Sequence, residues 1–414
     1  MDKTPKHSIT RFHVMAKPVG PSCNLDCAYC FYLSKEKLLG TGVSPRMSDE
    51  VLEEFIKQYI QGQDCDEIIF SWQGGEPTLA GLDFFRKVIS LEKKHSQGNR
   101  IENDLQTNGV LLDDEWCSFL RENNFLVGLS MDGPKELHDK YRFDKGGKST
   151  FDKVFNAAEL LKKYEVPFNA LCTVNRENAK HSSEVYRFLR DEIDARAIQF
   201  APCVETKVFT DTPPPYKDSF PIPKAGTSAA RPGNPDSVVT DWSVDPVDWG
   251  QFLSDVFDEW YANDIGRTFI YNFEYLLSLW LGRAQGVGCL VAPFCGKGLA
   301  IEHDGAVYSC DHFVYPEYKL GNIRESTLDK MAFSDKQKEF GYDKRAKLPF
   351  TCLKCQFLPV CNGECPKNRF TKTPKGEKGL NYLCMGYMQF FIHVTPAMNK
   401  MAAEMKENGM VASS

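Results

Sequence analysis

Three cysteines within eight residues, Cys23-Asn-Leu-Asp-Cys27-Ala-Tyr-Cys30, constrain this chain more than any other feature. Their spacing is C-x3-C-x2-C. Three thiolates on one short loop can hold three irons of a four-iron cube, leaving the fourth open to a substrate or cosubstrate. Structural zinc would need a fourth protein ligand to close its tetrahedron. No His or Cys follows at finger spacing, and His13 lies on the strand before. The first residues, MDKTPKHSITRFHV, hold no apolar signal core. Fifteen cysteines are therefore expected in a reducing cytoplasm, where metal binding or redox chemistry is commoner than disulfides. No run approaches the ~18 apolar residues of a membrane span. A net charge of -6 gives no footprint for nucleic acid.

Around this loop, β-like and helix-like segments alternate. Strands are expected at 12–19, 67–72, 101–106, 126–131, 168–174 and 196–202, with helices near 49–61, 81–95, 113–123, 151–164 and 180–192. Ser48 before Asp49 and Glu50 reads as a helix cap. This order predicts an α/β fold with a parallel sheet. Six strands are too few for a closed eight-stranded barrel, so an open doubly wound sheet or a partial barrel fits. In both, chemistry belongs at the C-terminal strand ends. Residues 211–236 are rich in Pro, Gly and Ser and read as a loop. Helices are expected at 246–262, 272–284 and 386–408. Between 289 and 384 the chain is dense in Cys, Gly and Pro and poor in periodic segments, so bound metal is expected to hold it together. The expected divisions are 1–210, a linker at 211–240, a cysteine-rich unit at 241–385, and a helical tail at 386–414.

That unit holds eight cysteines: Cys289, Cys295, Cys310, Cys352, Cys355, Cys361, Cys365 and Cys384. Eight makes two sets of four, with zinc-ribbon pairs as the plainer alternative. A cluster held by four thiolates has no open iron, which leaves electron transfer or a structural role. Cys65, Cys117, Cys172 and Cys203 remain and read as inert core residues.

The triple cysteine, with Tyr29 before its last member, resembles the signature of the radical S-adenosylmethionine (SAM) superfamily. In that superfamily SAM chelates the open iron and is cleaved to a 5′-deoxyadenosyl radical. The resemblance implies a partial (β/α)6 TIM-like barrel. It implies that Gly74, Gly75 and Glu76, in Gln73-Gly-Gly-Glu-Pro77, grip the SAM amino group. Ser130 and Asp132 would meet its ribose and carboxylate, Arg142 is placed to pair with that carboxylate, Tyr29 would touch adenine, and Val204 would wall it. The later spacing, with nine residues between Cys295 and Gly305 and then Cys310, followed by Cys352-x2-Cys355-x5-Cys361-x3-Cys365 and Cys384, resembles the SPASM two-cluster domain. By that resemblance Cys289, Cys295, Cys310 and Cys365 hold one [4Fe–4S] cluster and Cys352, Cys355, Cys361 and Cys384 another. Three clusters in all are implied.

The segments from Cys295 to His312, WQGGEPTL, SMDGP and LCMGYMQFF together look like an anaerobic sulfatase-maturating enzyme. That family converts Cys or Ser in an unfolded sulfatase, around a C/S-x-P-x-R type motif, to Cα-formylglycine. The implied partners are that polypeptide and a flavodoxin or ferredoxin; a monomer suffices. Asp311, beside Cys310, is the expected base, with cluster thiolates and burial expected to raise its pKa. His312 is the alternative base, and a structural aspartate the plainer reading. Two competing functions are another SPASM-type peptide modifier, thioether-forming or cofactor-maturing, and a non-catalytic zinc-stabilised binding module.

Overall fold

The computed structural model describes residues 11–40, 45–214, 220–283 and 288–408. Six strands, β1 (His13–Ala16), β2 (Glu67–Trp72), β3 (Arg100–Thr107), β4 (Leu126–Ser130), β5 (Phe168–Val174) and β6 (Ala197–Pro202), pair side by side in parallel. Their order follows the chain without reversal. That is barrel order, and it rules out the doubly wound alternative, whose strand order reverses at a switch point.

Local chemistry sets the crossovers. Helix Asp49–Gln61 buries Val51, Leu52, Phe55, Ile56 and Tyr59, one stripe at helical spacing. The Ser48 hydroxyl accepts from the Val51 N–H at 3.3 Å, with Asp49 and Glu50 in the first turn, as its sequence suggested. Asp113 caps helix Asp114–Glu122 in the same way, at 2.9 Å from Trp116 N. Helices Leu82–His95 and Phe151–Lys163 complete the next crossovers. The expected 180–192 helix is Ser182–Arg187 followed by a π-helical turn, Phe188–Glu192. Phe55, Tyr59, Phe70, Trp72 and Phe85 interlock edge-on and stacked between β2 and its helices.

The sheet stays open. In a closed barrel the last strand would return to β1; here that edge of β1 is taken by β8 (Gly298–Ile301), in parallel. β9 (Ala306–Tyr308) and β10 (Lys319–Asn322) extend it antiparallel, and β7 (Phe269–Ile270) adds to β6. These four strands were not expected. Each is two to four residues long, too short to show a period. The 289–384 region also contains a twelve-residue helix, Asp335–Ala346, capped by Ser334 on Gln337 N at 3.2 Å. Its charged sequence carries no apolar stripe, which is why periodicity missed it.

Helix Pro246–Asn263 matches its expected place, whereas Tyr271–Trp280 ends short of its expected end, with residues 281–282 in a turn and position 284 outside the described residues. The tail helix begins two residues early, at Cys384, and runs to Glu407. It crosses Pro246–Asn263 so closely that a β-carbon on Gly386 would overlap the Pro246 carbonyl oxygen, and one on Gly250 would meet the Gly386 backbone. The 211–236 segment is a loop where described; 215–219 of it lies outside the described residues, as do 1–10 and 409–414. Cys117, Cys172 and Cys203 are buried as expected, whereas Cys65 is only half-buried. No described helix is long and apolar enough to cross a membrane.

Gly386→Ala should destabilise the fold by ~1–3 kcal/mol through overpacking against backbone. Lys400→Ala, exposed on the same helix, should change it by less than ~0.5 kcal/mol. Urea denaturation midpoints of the two variants test this contrast.

Candidate active site

The C-terminal ends of β1 to β6 gather the expected residues. The Cys23–Cys30 loop leaves β1 and is clamped from two sides. On one side Gly75 N donates to Gly20 O and Glu76 N to Ser22 O, both at 2.8 Å. A β-carbon on Gly75 would overlap the Ser22 carbonyl, so only glycine permits this approach. On the other side Asp26 N and Ala28 N donate at 2.9 Å to Phe143 O and Tyr141 O. Asn108 Nδ2 donates to Asn24 Oδ1 at 2.8 Å. The loop thus has little freedom, and Cys23, Cys27 and Cys30 face one another closely enough that each thiolate would disfavour the next.

Glu76 is buried with its carboxylate fully engaged. It accepts from Thr78 N at 3.1 Å, Thr78 Oγ1 at 2.6 Å, Thr107 Oγ1 at 2.7 Å and Asn108 N at 2.8 Å. Its side chain therefore ties β2 to β3. Gly74, at φ +130°, and Gly75 expose only backbone.

Asp132 is wholly buried after β4. It accepts from Thr173 N and from Arg142 Nε, each at 3.0 Å, and from the Tyr29 hydroxyl. Arg142 also lies 5.5 Å from the Tyr29 ring centroid and near Cys27. Its two terminal nitrogens have no hydrogen-bond partner among the described residues. Arg142 thus keeps donors beyond its pair with Asp132. Ser130 Oγ accepts from Gln106 Nε2 at 3.1 Å. Val204 is buried after β6, its carbonyl accepting from Lys367 Nζ at 2.8 Å.

The later cysteines lie in two groups. Cys352, Cys355, Cys361 and Cys384 line one cavity with Phe357 and Tyr387. Cys289, Cys295, Cys310 and Cys365 influence one another electrostatically. Burial raises the pKa of these thiols, a cost that bound iron relieves by taking the thiolate. Among the described residues no three His, Cys, Asp or Glu side chains converge on a single-ion site. Four thiols around one cavity suit a multi-iron cage, so the donor set fits the iron–sulfur groups.

Asp311 lies just after Cys310, in contact with Lys17 Nζ at the end of β1. Lys17 is buried over the Tyr32 ring, 4.1 Å from its centroid, and the Tyr32 hydroxyl donates to buried Glu302. The expected rise in the Asp311 pKa is overturned. Burial pushes the carboxyl up, but the Lys17 ammonium, with Lys35 behind it, outweighs burial and holds it below the carboxylate range. His312 is half-buried against Phe31 and, by desolvation and then by Lys367, held neutral with its pKa lowered to about 4. Sequence reading missed Lys17, Tyr32 and Glu302. Lys17 ends an inward-facing strand and Tyr32 follows Cys30 by two residues; those positions were the available signal.

Residues 18–189 match the radical SAM superfamily, and 293–356 match an iron–sulfur cluster-binding domain, SPASM. The chain is 48% identical over 393 residues, 95% of it and 92% of the relative, to a serine-type anaerobic sulfatase-maturating enzyme of Bacteroides thetaiotaomicron. It is 36% identical, over 95% of itself and 99% of the relative, to a cysteine-type enzyme of Clostridium perfringens. The chain belongs to the anaerobic sulfatase-maturating enzymes. A solved structure, native anSMEcpe with bound AdoMet and Cp18Cys peptide, superposes with a TM-score of 0.79 at 35% identity, covering 95% of this chain and 99% of that one. In this sulfatase-maturating enzyme the ten-stranded sheet joins both halves, so the Cys23–Cys30 loop and Asp311 meet across one edge of β1.

Gly75→Ala should displace the Ser22 carbonyl and with it the first cysteine loop. Iron per chain after anaerobic reconstitution should fall. An iron and sulfide assay checks this; full iron content would mean that the loop tolerates the added carbon.

Proposed function

We propose that this chain oxidises a Cys or Ser of an unfolded sulfatase polypeptide, around a C/S-x-P-x-R type motif, to Cα-formylglycine, in an oxygen-poor cytoplasm. One juxtaposition carries the reading: Asp311 sits between the two kinds of cysteine site, adjacent to Cys310 and paired with the lysine that ends the strand feeding Cys23–Cys30. We assign one [4Fe–4S] cluster to Cys23, Cys27 and Cys30, and one to each cysteine quartet, with SAM at the first. When bound, these groups supply a 5′-deoxyadenosyl radical for hydrogen abstraction at Cβ and an acceptor for one electron.

The chain's own residues handle placement and the proton. Gly74, Gly75, Asp132 and Arg142 shape the SAM pocket, with Glu76 and Tyr29 fixing its walls. Arg142 keeps free donors for a carboxylate, the arrangement in which charge-assisted hydrogen bonds are strongest. Asp311 takes the proton from the substrate hydroxyl or thiol at a carboxylate oxygen. Lys17 keeps that carboxylate ionised and so ready to accept, at the expense of intrinsic basicity. Tyr32 and Glu302 hold Lys17 in place.

Asp311→Asn should keep its iron but lose peptide oxidation by ~10²–10⁴-fold, the usual contribution of a positioned base. The assay supplies SAM, dithionite and two peptides, Ser-x-Pro-x-Arg and Cys-x-Pro-x-Arg, and follows aldehyde by mass spectrometry. Aldehyde from wild type with stoichiometric 5′-deoxyadenosine is the expected result, and the 48% identical serine-type relative favours the Ser peptide. 5′-Deoxyadenosine without peptide change would move the substrate to another polypeptide. Unchanged turnover in Asp311→Asn would remove Asp311 from the role.

A further inference from the structure

One short turn joins the two groups of later cysteines. Cys361 lines the cavity with Cys352, Cys355 and Cys384, while Cys365 interacts electrostatically with Cys289 and Cys295. Three residues separate them, and all three are left-handed: Asn362 at φ +47°, Gly363 at +71° and Glu364 at +52°. Asn and Gly visit that region readily, but Glu needs support from outside the turn. Arg369 supplies it. Its Nε donates to Gly363 O at 2.8 Å, its Nη2 to Asn362 O at 2.9 Å and Glu364 O at 3.0 Å, and its Nη1 to Lys344 O. Every carbonyl of the turn therefore meets one guanidinium, which uses four of its five N–H groups. A β-carbon on Gly363 would lie 2.7 Å from Arg369 Nη2, so glycine admits the guanidinium this close. The clamp extends to the first group through buried Lys344, whose Nζ donates to Cys289 O at 2.7 Å and Leu290 O at 2.9 Å. Burial penalises the thiolates of Cys295 and Cys352, one from each group. The Arg369 charge opposes that penalty at both, joined at Cys295 by Lys344.

We propose that Arg369 is a positioning residue for electron acceptance: clamped to the turn between the two auxiliary sites, its charge raises the reduction potential of the groups they hold. The proposal rests on the clusters and the oxidation assigned above. There the substrate carbon loses one electron and an auxiliary cluster gains it, becoming more negative by one charge. A fixed cation beside the cluster stabilises the added charge, and does so most where water is excluded. Removing that cation makes the cluster a weaker acceptor. The four hydrogen bonds keep the guanidinium against the turn, so its charge stays between the sites instead of turning outward to solvent. Glu364, on the same turn, carries the opposite sign and pairs with this charge; its buried carboxylate is held by Asn368 Nδ2 at 3.1 Å and by Asn381 Nδ2.

The test uses the full chain with Cys23, Cys27 and Cys30 changed to Ala, a parent in which the later cysteines alone can hold iron. After anaerobic reconstitution, a dye-mediated redox titration followed by electron paramagnetic resonance reads the midpoint potentials, without SAM or peptide. In this parent, Arg369→Gln should lower at least one potential by a tenfold change in the reduction equilibrium or more, ~59 mV for one electron. Arg369→Lys keeps the charge while losing the planar fork, and its potentials should stay within that interval of the parent. Potentials unmoved in Arg369→Gln overturn the proposal. If the Gln variant takes up no iron, the Lys variant decides: potentials like the parent's support the role of the charge, and a fall of ~59 mV or more overturns it. Loss of iron from both variants also overturns it, and makes Arg369 a residue of the fold alone. A parent that takes up no iron would overturn the cluster assignment itself, an outcome separate from any result with Arg369.

Discussion

The contact between buried Lys17 and half-buried Asp311 holds the site together. Its partners lie 294 positions apart, one just after the first strand, the other following Cys310. A buried ion pair is costly to form, because both charges leave water, and costly to break, because either partner alone would be an uncompensated charge worth ~3–5 kcal/mol. Lys17 offsets part of that cost by lying over the Tyr32 ring, and Tyr32 is itself tied to Glu302 at the end of β8. The pairing of β8 with β1 places these residues along the seam between the two strands. Closure of the barrel at that edge would exclude β8. The open sheet is thus what lets the cysteine-rich half deliver a carboxylate to the first half.

Glu76 and Asp132 show how the remaining strand ends are fixed. Both are buried carboxylates, and both are surrounded by donors from neighbouring strands. An unsatisfied buried carboxylate would be expensive, so each strand end has essentially one arrangement that meets every lone pair. These networks make the strand ends rigid. Arg142 is the exception, because one nitrogen serves Asp132 while the others remain available.

The first half was legible in the sequence because its elements are long and periodic. Strands such as Phe168–Val174 and helices such as Asp49–Gln61 carry a full period of buried side chains. The glycine pair was equally readable, since close backbone approach demands one residue type. Lys17, Tyr32 and Glu302 were not readable, because their meaning comes from contacts between distant segments. The direction of the Asp311 pKa shift failed for the same reason. Its neighbours in sequence, Cys310 and His312, gave no sign of the ammonium that β1 brings to it.

The Pro- and Gly-rich stretch after β6 extends this argument. Local propensity made it a loop, and a loop it is, yet side chains from far along the chain fix its described ends. The Tyr315 hydroxyl donates to Phe209 O at 2.7 Å and the Tyr382 hydroxyl to Val244 O at 3.0 Å, while Lys224 pairs with Lys372 through the backbone. Tyr315 also lies under the buried Lys35 ammonium, 3.2 Å from its ring centroid. Burial lowers the Lys35 pKa to about 7, with Glu205 opposing that shift. A segment with little core of its own is therefore held by hydroxyls that reach out from the cysteine-rich half. Its order depends on that half being folded, and by the same reasoning on the thiol quartets having something to hold.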